Sequence, residues 1–167
     1  MSEQLADGAR ARLESTPSVL RALLEGIAEE LVERPLDGDW SARDVVAHVI
    51  SVEPLVLQAR IAGMLAAPGS AVANVDEDQA LEDSGLRTLP AGELLDRFEV
   101  GRAESLALID GLSDEELAVR GEHELVGTMT VAHMVNHFSF HDAVHIQQIV
   151  RMLALPAELE QGGLRQF

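Results

Sequence analysis

Four of the six histidines, His133, His137, His141 and His145, recur at every fourth position near the end of the 167-residue chain. On a helix, residues four apart lie ~40° apart around the axis and ~6 Å apart along it, so neighbouring imidazoles can converge on one cation. The first and last of the four stand ~18 Å apart, so all four cannot share a single ion. His48 falls in another apolar stretch, among Val45, Val49 and Val52, and can complete a three-imidazole site with a pair from the later run. Neutral imidazole suits zinc, nickel or ferrous iron, and three protein ligands leave positions open for water or substrate. The competing reading is a pH-sensitive helix face at a subunit contact. His123 and His133 are read as packing residues satisfied by backbone groups.

Composition narrows the remaining chemistry. The chain has no Cys, which removes thiolate nucleophiles, disulfides and cysteine-based metal sites. All 12 basic residues are Arg, so Schiff-base chemistry and a phosphate-loop lysine are excluded as well. A net charge of −17 argues against a nucleic-acid partner or an anionic membrane surface, both of which require a cationic footprint. No apolar run reaches the ~18 residues of a bilayer span, and Met1-Ser2-Glu3-Gln4 carries no basic leader. The expectation is a cytoplasmic protein forming one domain over residues 1–167.

The elements that must position the histidines are read from apolar periodicity. A first helix is predicted after Thr16-Pro17, with Val19, Leu20, Leu23, Leu24, Ile27 and Leu31 on one stripe until Pro35. Residues 1–15 are expected to form a short amphipathic arm. Ser41 and Asp44 predict a capping box for the second helix, with Trp40 stapled onto Val45. That helix is expected to run to Ala67 and to kink or break at Pro54. Residues 68–90 read as a long acidic connection with room for one helical turn.

A third helix begins near Pro90, and Ser113-Asp114-Glu115-Glu116 starts a short one. Residues 121–128 read as a loop with Gly121 and Gly127. The last helix starts at Thr128 or Thr130 and ends at Leu155-Pro156, leaving 156–167 as a tail that frays at Gly162-Gly163. With no segment read as a strand, the fold class is all-α, a four-helix bundle with a long connection between the second and third helices.

Two stretches carry a family resemblance. The first is Asp39-Trp40-Ser41-Ala42-Arg43-Asp44-Val45-Val46-Ala47-His48-Val49, followed by Glu53 and Arg60. The second is His141-Asp142-Ala143-Val144-His145-Ile146-Gln147-Gln148-Ile149. In this order and at this separation they resemble the DinB/YfiT-like family across about residues 17–155. The resemblance implies an often dimeric four-helix bundle with a divalent metal, zinc or nickel, on His48, His141 and His145. Some relatives end differently, and that register would use His137 and His141 instead. In the preferred register His137 lines the pocket or packs.

Gln148, on the ligand face three residues after His145, is the candidate to orient an imidazole. Asp142 points sideways, as a solvated charge or a contact to a neighbouring helix. Glu53, about 140° around from His48, does not reach the metal unless Pro54 distorts the turn. Arg60 reads as a bundle-end salt bridge rather than a substrate anchor.

Characterised relatives include transferases and isomerases that use bacillithiol, mycothiol or glutathione. The resemblance therefore implies a metal-dependent thiol transferase acting on a small-molecule electrophile. The alternatives are a metal-binding stress or detoxification protein without turnover, and a structural bundle that dimerises through its histidine face.

Overall fold

Pro17 lies inside the first helix and does not begin it. In the computed structural model, which describes residues 4–162 and Leu164, α1 spans Ala9–Leu24. The expected arm is thus helical from Ala9, with Ala9 and Leu13 fully buried in the core. Proline has no N–H to offer the carbonyl four residues back. That carbonyl, of Leu13, instead accepts a 2.7 Å hydrogen bond from Arg102 Nη1. The predicted stripe also breaks early. Gly26 takes φ +80°, which turns the chain into the single-turn helix α2 (Glu29–Val32). The leader reading at Met1-Ser2-Glu3 and the Gly163 half of the expected frayed tail lie outside the described residues.

The capping box at Ser41 forms as expected: the Ser41 hydroxyl accepts from Asp44 N–H and starts α3 (Ala42–Val52). Pro54 does not break the run. Residues Glu53–Gln58 widen into a π-helical turn, in which Ala59 N–H bonds the Pro54 carbonyl five residues back, before α4 (Ala59–Ala66). Taken together, Ala42–Ala66 is long and apolar enough to cross a membrane by length and composition, with 44% of its apolar window buried. Its apolar face fills the bundle interior through Val45, Val46, Val49, Leu57 and Ile61.

The third long helix is α6 (Ala91–Asp110), followed by the capped turn α7 (Asp114–Leu117). The fourth, α8 (Val131–Leu159), is capped by Thr130 and continues through Pro156, which was expected to end it. Helix α1 packs on α6 and α8, and α3 packs on the same two, which makes the four-helix bundle.

The 68–90 connection is more ordered than a loop. It holds β1 (Ala71–Val72), the two-turn helix α5 (Glu77–Ser84) and a 3₁₀ turn at Leu86–Thr88. Helix α5 lies against α3 and buries Leu81 in the core. The predicted 121–128 loop is a hairpin of β2 (Arg120–His123) and β3 (Gly127–Thr130), with β1 added parallel to β2. Four-residue strands are too short for a period-two pattern to stand out against helical stretches.

Gly121 is where this sheet closes onto α4. A Cβ there would fall 2.5 Å from Val72 Cγ2 and 2.8 Å from Met64 Cγ. Gly121→Ala is therefore expected to destabilise the protein by about 1–3 kcal/mol through overpacking. Urea denaturation checks this, and a loss under ~0.5 kcal/mol, the ordinary surface range, would show that the sheet yields freely.

Candidate metal centre

Helices α3 and α8 face one another across the core, and that placement brings three imidazoles together. His48, His141 and His145 each offer one ring nitrogen, and these atoms lie within 4.8 Å of one another. His141 Nε2 and His145 Nε2 are 3.1 Å apart. The ring centre of His48 lies 5.4 Å from that of His141 and 4.9 Å from that of His145. His48 is buried, and the other two are half-buried.

Polar contacts and packing set the ring orientations. Gln148 Nε2 donates to Asp37 Oδ2 at 2.9 Å, which turns the amide oxygen toward His145 Nδ1, also at 2.9 Å. An amide oxygen only accepts, so His145 Nδ1 carries a hydrogen and Nε2 is the nitrogen turned toward His141. Two bare ring nitrogens 3.1 Å apart repel unless a proton or a cation lies between them. Nδ1 of His48 and Nδ1 of His141 are buried with no hydrogen-bond partner. Packing holds those rings, Trp40 edge-on against His48 at 5.3 Å and Phe138 against His141 at 5.4 Å.

Burial pushes His48 down to about 4, with His145 adding to the shift and Asp78 opposing it. Burial likewise pushes His141 down to about 3, and the neighbouring His145, His48, His137 and Arg102 lower it further. Both rings are neutral at pH 7 and keep a lone pair for a cation. Three convergent imidazoles, with His48 and His141 neutral at pH 7, fit a borderline divalent metal.

The other histidines stand apart from the three. His137 is exposed, with its ring 6.2 Å from that of His141. His133 serves the start of α8, where Thr130 N–H donates to its Nδ1 at 3.3 Å. His123 is buried in β2, and its Nδ1 accepts from Leu125 N–H at 3.2 Å.

Asp142 is a buried contact to α6, bonded to Arg102, and not a solvated charge. Glu53 bonds the same guanidinium from within the π-helical turn. Arg60 forms no bundle-end salt bridge among the described residues; its Nη2 donates to the Ala73 carbonyl at 2.8 Å.

Asp37, beside Gln148, and Glu77 both escaped the sequence reading. Glu77 Oε2 lies 3.6 Å from His48 Nε2, brought there by α5. The signal was available in Asp76, whose side chain accepts from Gln79 N–H and starts a helix at Glu77. Beside Glu77 and His137 opens a cleft of about 470 Å³ that also takes in Arg60 and the hairpin turn.

The comparisons with known proteins agree with this architecture. YfiT from Bacillus subtilis, described as a probable metal-dependent hydrolase with an unusual four-helix bundle topology, shares the fold at a TM-score of 0.79 and 21% identity. The alignment covers 90% of this chain and 86% of YfiT. No curated protein matches the chain. The family model of the DinB superfamily matches residues 12–149, most of the chain's length, and the chain belongs to that superfamily.

Proposed function

We propose that His48, His141 and His145 hold one divalent transition metal, zinc or nickel, and that the protein is an enzyme joining a low-molecular-weight thiol to a small electrophile. The convergence of three imidazoles from two helices carries this reading. When bound, such a cation supplies Lewis acidity that lowers the pKa of an incoming thiol. With no Cys in the chain, the sulfur belongs to the cosubstrate.

The chain's own groups position and shield. Gln148, braced by Asp37, fixes the His145 ring. Trp40 and Phe138 cover His48 and His141. Glu77, with its carboxylate half in solvent beside His48, is placed to accept the proton that the nucleophile gives up. A second reading puts water in place of the thiol. Glu77 favours it by supplying the base that hydrolysis requires, and YfiT's description as a probable metal-dependent hydrolase points the same way.

Elemental analysis of the purified protein is expected to find about one equivalent of transition metal per chain, the stoichiometry of one three-histidine site. The protein is then expected to accelerate consumption of monochlorobimane by bacillithiol, mycothiol or glutathione. Hydrolysis of activated esters without any thiol would favour the water reading. Metal without turnover would leave a metal-binding stress or detoxification protein, and a metal-free chain would leave a structural bundle.

A further inference from the structure

Of the arginines, the one that faces the cleft beside the histidines lacks a carboxylate partner among the described residues. Arg10, Arg21, Arg43, Arg87, Arg97 and Arg102 each contact a carboxylate. Arg60, half-buried on the wall of the cleft beside the histidines, has no carboxylate within ion-pair distance among the described residues. One of its five N–H donors meets the Ala73 carbonyl, while its Nε is buried without a partner. Glu77 acts on it only through space. Val75, Met129, Met134 and the hairpin-turn residues Leu125 and Val126 give the cleft an apolar wall, beside Asn74, Thr128 and the histidines at 123, 133 and 137.

We propose that this cleft is a subsite for a small molecule with an apolar body and a single carboxylate, anchored by Arg60. Resting on the metal-dependent reading above, the inference names a substrate class: monocarboxylates whose reactive end reaches the three histidines past Glu77 and His137. A guanidinium offers a planar fork that matches a carboxylate. Glu77 on the same wall makes a dianion such as a phosphate monoester the poorer ligand, because it repels two charges where a carboxylate presents one. The apolar wall binds the body of the ligand without regard to its charge, so acid against amide reads the anchoring of the acid group and Arg60→Gln assigns it to Arg60.

Calorimetric titration of the full chain with 4-phenylbutyrate, its neutral amide and phenyl phosphate tests the proposal. The acid is expected to bind about ten- to a hundredfold tighter than the amide, the range of a charged hydrogen bond. Arg60→Gln is expected to bring the acid down to the affinity of the amide. Glu77→Gln leaves the Arg60 tether to Ala73 intact and is expected to tighten the acid severalfold, so this arm decides if Arg60→Gln does not fold.

Equal binding of acid and amide would overturn the anchor, as would tighter binding of phenyl phosphate or no response to either substitution. Repeating the titrations after chelation separates the two readings. A preference for the acid that survives metal removal supports the anchor whether or not the metal reading stands. A preference that vanishes with the metal places the carboxylate on the cation and overturns the anchor.

Discussion

Replacing His145 by alanine is expected to weaken metal binding by more than about a hundredfold, beyond the ~10–100-fold that loss of a supporting group costs. Only His48 and His141 would then face the cation, and the aliphatic core that holds α3 against α8 would be untouched, so the helical circular dichroism should not change. His48→Ala is expected to do the same from the other helix. Gln148→Ala should fall in between, weakening the metal by about 10–100-fold, because it removes the acceptor that fixes His145 Nδ1 and breaks the link to Asp37.

His133→Ala should leave the metal in place, since His133 caps the start of α8. His137 is the informative control. Its ring centre is 6.2 Å from that of His141, against 4.3 Å between His141 and His145. If His137→Ala empties the site and His145→Ala does not, the ligand pair is the earlier one and the proposed set is wrong. Metal content after gel filtration, measured by mass spectrometry, reads every arm of the series.

The legible features were those governed by short-range rules. The Ser41–Asp44 cap and the four-residue spacing of His141 and His145 follow from helix geometry alone, and both stand in the structure. Pro17 reads as a helix start only while its missing hydrogen bond is considered locally. Its consequence, the free Leu13 carbonyl, is met by Arg102 from the third long helix. Glu53 was kept from the metal by counting degrees around the helix, and it turns instead to Arg102, a partner that no local count could name. Glu77 sits on a helix that offers a single core residue, Leu81, so apolar periodicity had almost nothing to register there. Chemistry placed by packing between distant segments leaves little local trace.

The same long-range contact sets the largest stability effect in the molecule. Arg102 is 1% exposed, and Glu53 and Asp142, at 2% and 1%, both bond it. Its Nε meets Glu53 Oε1 at 2.7 Å and its Nη1 meets Asp142 Oδ2 at 2.6 Å, while Phe98 lies under the guanidinium at 4.7 Å. The interior thus holds two carboxylates against one cation. Arg102→Met would leave both carboxylates and the Leu13 carbonyl without their donor. Breaking a buried pair from one side costs about 3–5 kcal/mol.

For a chain of this size that corresponds to a fall of roughly 6–20 °C in Tm, at about 2–4 °C per kcal/mol. Adding Glu53→Gln and Asp142→Asn to Arg102→Met removes the uncompensated charges and should recover most of the lost stability at pH 7. Thermal and urea unfolding read both outcomes. A loss under ~1 kcal/mol for Arg102→Met would mean that water reaches these carboxylates and that the bundle does not depend on this guanidinium.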